Sequence, residues 1–105
     1  MRLGGRPWQA WLAAALLVIL SVADILTTNR ILARGGHEAN PFMAWLMAIL
    51  GPQWMVAKVL ATAVIAFWLV ADWEHRLAKV AMAAAIGLSM LFVGWNLVMI
   101  LWSSA

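Results

Sequence analysis

Asp24-Ile25-Leu26-Thr27-Thr28, followed a few residues later by Gly35-Gly36-His37-Glu38-Ala39-Asn40-Pro41, is the stretch on which the reading of this chain turns. It sets a carboxylate inside an otherwise apolar helical run, then stops that run at a glycine pair. The loop beyond offers an imidazole, a second carboxylate and a carboxamide before a proline opens the next helix. Ser21, Asp24 and Thr28 stand at i, i+3 and i+7, so they share one helix face. A face that polar must look at protein and not at lipid, because hydrocarbon offers no hydrogen-bond partner.

Almost everything around that stretch is hydrocarbon. Of 105 residues, 67% are hydrophobic and 10% are charged, whereas soluble domains carry about 25% charged residues. The chain therefore reads as a single transmembrane domain over residues 1–105. Eight Trp and no Tyr fit repeated contact with lipid headgroups, where indole rings settle. The formal charge of +3 is carried by short flanks and loops. There it reads as a topological signal and an attraction to anionic membrane lipid, and no nucleic-acid partner is expected. With no cysteine, disulfides, thiolate metal sites and Cys nucleophiles are excluded. Met1-Arg2-Leu3-Gly4-Gly5-Arg6 is basic and Ser21-Val22-Ala23 would suit signal cleavage, but the helical pattern runs on through Ala33, which favours a retained anchor.

The pattern predicts an all-α integral membrane bundle of three transmembrane helices plus one short interfacial or re-entrant helix. The first runs from about 7 to 33, with Pro7 at a tolerated first-turn position and Gly35-Gly36 as its stop. Residues 41–50 are apolar but too few to span, so they read as a short helix capped by Asn40. Its greasy side is expected to be Phe42, Trp45, Leu46 and Ile49. A second span follows over about 53–71, carrying Lys58 with Thr62 one turn on. Asp72-Trp73-Glu74-His75-Arg76 is a polar turn, and the third span occupies about 77–102. That last helix has Ala81, Ala85 and Ser89, and Ala83 and Gly87, in the spacing that lets helices approach closely. Ser89, Asn96 and Ser103 recur every seven residues on one side of it.

Three spans put the amino terminus and the 72–79 turn on one side of the membrane, with Arg2, Arg6, Arg76 and Lys79. The 35–51 segment and the carboxyl terminus lie on the other, with Arg30 and Arg34. The positive-inside tendency then makes the amino terminus cytoplasmic and the His37-Glu38 loop outward-facing. Trp8, Trp11, Trp68 and Trp73 would form one aromatic belt, and Trp45, Trp54 and Trp102 the other.

Depth links the polar residues. At 1.5 Å per residue, Asp24 lies roughly 14 Å in from Ala33, Lys58 roughly 9 Å in from Pro52 and Asn96 roughly 10 Å in from Ser103. An acid, a base and an amide from three helices thus meet at similar height, and pairing removes most of the ~2.5–3.5 kcal/mol that each ionised side chain costs at a helix centre. Glu38 and Asn40, in the loop above, are natural second partners. Two readings stand. In one, Asp24, Lys58 and Asn96 fix how the helices pack. In the other, Asp24, Thr28, Glu38, Asn40, Lys58 and Asn96 form a polar pocket for an ion, a lipid headgroup or a substrate. His37-Glu38 resembles half of a zinc-binding helix motif, but no second His stands at i+4, so no metal site is expected. Asp24 with Glu38 could serve as acid and base on a lipid, yet no strained serine turn or phosphate loop accompanies them. No catalytic residue and no cofactor is assigned, although Trp and Leu surfaces could pack on lipid or on a pigment held by a neighbour.

The pattern Asp24-x-x-Thr27-Thr28, then Gly35-Gly36-x-Glu38-x-Asn40-Pro41-x-Met43, Gly51, Lys58 and Asn96, resembles the family of small prokaryotic membrane proteins known as domain of unknown function 5658. The resemblance covers about Asp24 to Asn96 and is most specific at Glu38-x-Asn40-Pro41 with Asp24 upstream. It implies a compact helical membrane domain with these polar residues shared, and it supplies no reaction. Size, the missing soluble domain and the small-residue face of the last helix lead to the expectation of a non-enzymatic accessory or assembly subunit. Its partners would be the other membrane protein subunits of a respiratory, photosynthetic or transport complex, or further copies of itself. The alternative expectations are a small transporter binding at the Asp24/Lys58 cluster and a lipid-acting enzyme.

Overall fold

The computed structural model describes residues 5, 7–36 and 41–104. Helix α1 spans Trp8–Ala33, α2 Pro41–Leu50, α3 Trp54–Ala71 and α4 Arg76–Ser104, with a 3-10 turn at Gly51–Gln53 between α2 and α3. Three stretches are long and apolar enough to cross a membrane, namely Trp8–Ala33, Pro41–Ala71 and Arg76–Trp102. The longest dimension is 47 Å, against about 40–45 Å for a bilayer with its headgroups. The protein is thus all-helical over the described residues, with three candidate spans.

Each helix end has a local cause. The chain leaves α1 through Gly35 at φ 82°, while the Gly36 amide donates to Ile31 O and the Gly35 amide to Leu32 O. That pair of bonds is the Schellman arrangement, which needs a residue free to take left-handed φ. Arg34 also reaches across to α4, where Nη1 donates to the Ile100 carbonyl at 3.2 Å, placing a cation on the negative end of that helix. At the other end of the bundle α3 closes through the Asp72 amide on Trp68 O, and the Trp68 indole donates back to Asp72 Oδ2 at 3.0 Å.

Gly51 divides α2 from α3 at φ 59°, and a Cβ there would meet nothing within 4 Å. The glycine is therefore required by backbone conformation and not by space. Gly51→Ala is expected to cost on the order of 1 kcal/mol, read as a lower unfolding midpoint with unchanged helix content by circular dichroism. No loss of stability would mean that this bend relaxes freely.

Helix α1 is the axis of the fold. It packs along both α3 and α4, which meet each other far less. Its buried residues Ala10, Ala14, Leu17, Ser21, Ile25 and Thr28 advance by three or four, one stripe of a 3.6-residue helix. Toward the Trp8 end, Ala10, Ala14 and Leu17 close on Ala66 and Val70 of α3 and on Met82 of α4. Toward the Ala33 end, Ile25 joins Met43 of α2 and Trp54 of α3, with Leu46 packed against them. Trp54 is therefore interior, 5% exposed, and not part of an aromatic belt, because the turn at Gly51 swings it under α2. Leu46 likewise leaves the greasy outer side expected of α2, while Phe42, Trp45 and Ile49 stay exposed. Leu, Val, Ile and Trp side chains cover the outside of all the helices, a surface suited to lipid or to other helices.

Candidate functional site

Asp24 sits on the helix that packs most extensively on both others, at the depth where Lys58 of α3 and Asn96 of α4 come level with it. The structure joins all three. The Lys58 ammonium pairs with Asp24 Oδ2. Asn96 Nδ2 donates to Asp24 Oδ1 at 2.9 Å, and lies 3.0 Å from Thr27 Oγ1 and 3.1 Å from Thr28 Oγ1. Thr28 Oγ1 is 3.5 Å from Asp24 Oδ1.

Proton counting fixes the direction of these bonds. The Thr27 hydroxyl faces its own helix, 2.9 Å from Ala23 O and 3.1 Å from Asp24 O, so its proton is spent there and its lone pair is left for Asn96. An ionised carboxylate only accepts, so the amide nitrogen and not the amide oxygen of Asn96 must face Asp24. One level toward the Trp8 end, Thr62 Oγ1 donates to Lys58 O at 2.8 Å. Its single proton is thereby used, and the 3.1 Å contact with Ser21 has Ser21 as donor. Asn96 is 5% exposed, Thr28 2% and Ser21 4%, and the Lys58 and Asp24 side chains are 16% and 14% exposed. Taking these groups out of hydrocarbon and pairing them is what makes the depth tolerable.

Of the sequence-derived candidates, Asp24, Thr28, Lys58 and Asn96 are thus brought into one network. Glu38 and Asn40, with the expected Asn40 cap and the His37-Glu38 loop, lie outside the described residues. The structure adds Thr27, Ser21 and Thr62. Thr27 carried a signal, since i+3 from Asp24 is the same flank of the helix. Among the described residues no group of three or more His, Asp or Glu stands ready to hold a metal ion.

A cavity of about 170 Å³ adjoins the ion pair, lined by Leu17, Ser21, Asp24, Lys58, Thr62, Ile65, Ala85 and Ser89. It extends from Asp24 toward the Trp8 end of α1, between the flanks of α3 and α4. Larger hollows lie elsewhere, such as one of about 400 Å³ against Ile65, Trp68, Leu69 and Leu77 and one of about 380 Å³ between Trp11, Val18 and Phe67. The second is walled by apolar side chains of the kind that lipid tails cover, and the first adds Asp72 and His75 at the polar turn after α3, so the smaller cavity is the one that adjoins the network.

Residues 15–102 match the family described as Domain of unknown function (DUF5658). The matched range contains the whole network from Ser21 to Asn96. No curated protein and no solved structure matches the chain.

Proposed function

Starting from the fact that the chain belongs to the DUF5658 family, we propose that it is a small non-enzymatic membrane subunit, serving in the assembly of a larger membrane complex. The observation that carries this reading is the bareness of α4. That 29-residue helix rests on α1 along a narrow strip and leaves Leu77, Val80, Leu88, Leu91, Trp95 and Val98 exposed. Ala83 and Gly87 are exposed on it as well, and a Cβ on Gly87 would meet nothing within 4 Å. Small residues one turn apart allow a second helix to approach closely, which is what holds helices together in lipid.

The polar network supports the same reading from inside. Asp24 receives Lys58 from α3 and Asn96 from α4, so the carboxylate works as a joint that sets the angle at which α4 is presented. In this proposal the Trp8 end of α1 is cytoplasmic, the 35–51 segment and the carboxyl terminus face outward, and α2 lies in the outer interface of a prokaryotic plasma membrane. The basic residues Arg76 and Lys79 support that orientation.

Native electrophoresis of a mild-detergent membrane extract tests it. The chain should migrate far above its own 11.5 kDa together with different polypeptides, and Gly87→Leu should release it without altering its helix content. Migration at monomer mass, or at simple multiples of its own mass, would overturn the subunit reading.

A further inference from the structure

Among the described residues, the cavity beside the ion pair has donors to spare. Lys58 carries three N–H protons, and among the described residues the one acceptor that meets its ammonium is Asp24 Oδ2. Asp24 already takes three donors, from Lys58, Asn96 and Thr28, of the roughly four that its two oxygens can accept. Ser89 adds a hydroxyl to the lining, while the Ser21 proton is already committed to Thr62. What remains toward the cavity is a donor-rich wall seeking an acceptor oxygen.

Three further properties narrow the class of ligand. First, Lys58 and Asp24 neutralise each other, so a phosphate or a carboxylate would bring an uncompensated charge to a depth where charge is costly. A neutral acceptor meets no such cost. Second, Ser21 lies near the middle of α1 and Ser89 near the middle of α4, well away from both headgroup levels, where a membrane-dissolved molecule travels and a polar headgroup does not. Third, α1 forms the back of the cavity, and α3 and α4, which pack on α1 far more than on each other, form its sides. The way in is therefore lateral, from the bilayer.

We propose that this cavity between α3 and α4 binds the carbonyl head of a neutral, bilayer-soluble molecule, with the spare Lys58 N–H groups and the Ser89 hydroxyl donating to its oxygen. Its volume of about 170 Å³ is close to the roughly 150 Å³ that admits a single benzene ring, enough for one compact head and not for an acyl chain. Leu17, Ile65 and Ala85 supply the apolar walls against which such a head packs. The network that fixes α4 stays intact, because the ligand uses protons that the network leaves unspent.

Two sources share this chemistry, a quinone ring and the ester carbonyl of a diacylglycerol. Decylubiquinone and dioctanoylglycerol are therefore the probes, each added to the full chain in lipid nanodiscs. A saturating probe that fits should raise the unfolding midpoint by roughly 5 °C and shift the infrared stretch of an isotope-labelled carbonyl to lower frequency. Ser89→Leu and Ala85→Leu fill the cavity without touching Asp24, Lys58 or Asn96, and both should abolish the two responses. A response to decylubiquinone alone assigns the quinone source, and a response to dioctanoylglycerol alone assigns the ester. No response to either probe, leaving the cavity to water, overturns the proposal, as does a response that survives in both variants. The purified chain is used without partners, so this result and the electrophoretic test of the subunit reading succeed or fail separately.

Discussion

Asp24→Leu is expected to destabilise the bundle by about 3–5 kcal/mol, and the addition of Lys58→Met to recover most of that loss. The single change leaves the mostly buried Lys58 side chain with its carboxylate gone, and Asn96 with two threonine oxygens in place of an anion. Removing one member of a buried pair exposes the full cost of the other. Removing both with side chains of similar volume deletes cost and gain together. Reversible unfolding in mixed micelles gives the three free energies needed for the cycle. A double variant as unstable as the single one would show that the pair does not act as a neutral unit, and the joint assigned to Asp24 would be lost.

Asn96→Leu should have the second largest effect, about 2 kcal/mol, between the average for interhelical bonds in membranes and that for bonds to charged groups. Its Nδ2 shares two protons among nearby oxygens of Asp24, Thr27 and Thr28 from a position 5% exposed on α4. Leucine matches the volume but leaves Asp24 Oδ1 with Thr28 as its remaining donor. The loss should appear where α4 meets α1. Amide hydrogen exchange should rise along α4 and stay unchanged at the Lys58 level of α3, because α3 keeps its own tie through the ion pair. Uniform acceleration across all helices would show that the three-way joint is not divisible in this manner.

The spans and the network were legible in the sequence for one reason: in lipid, polarity is rare enough to be counted. Asp24, Lys58 and Asn96 could be set level by rise per residue alone, and helical spacing then brought Ser21 and Thr28 to the same face. Hydrophobicity, by contrast, said nothing of which way each apolar residue turns, because the outside of the bundle is as oily as the inside. The buried stripe of α1 is marked instead by small and polar residues, Ala10, Ala14, Ser21 and Thr28, as expected where close approach rather than water exclusion holds helices together. That is also why Trp54 was misplaced. Indole at a helix start suits either a headgroup belt or a packed corner, and the left-handed bend at Gly51 decides between them. Thr27 offers only its i+3 spacing from Asp24, which does not tell a network member from a threonine that bonds back to its own helix. The cavity has no linear signature, since Ser21, Lys58, Thr62 and Ser89 come from three helices.

The order of residues along α1, α3 and α4 sets a schedule for biosynthesis. The acid leaves the ribosome first, its cation 34 residues later and its amide 72 residues later. At ~5–20 residues per second, translation alone keeps Asp24 waiting about 2–7 s for Lys58. During that interval the nascent first segment carries a carboxyl group with no countercharge, at a depth where an ionised side chain costs about 2.5–3.5 kcal/mol. A first segment cut short before Lys58 is thus expected to insert less readily than one whose chain reaches it.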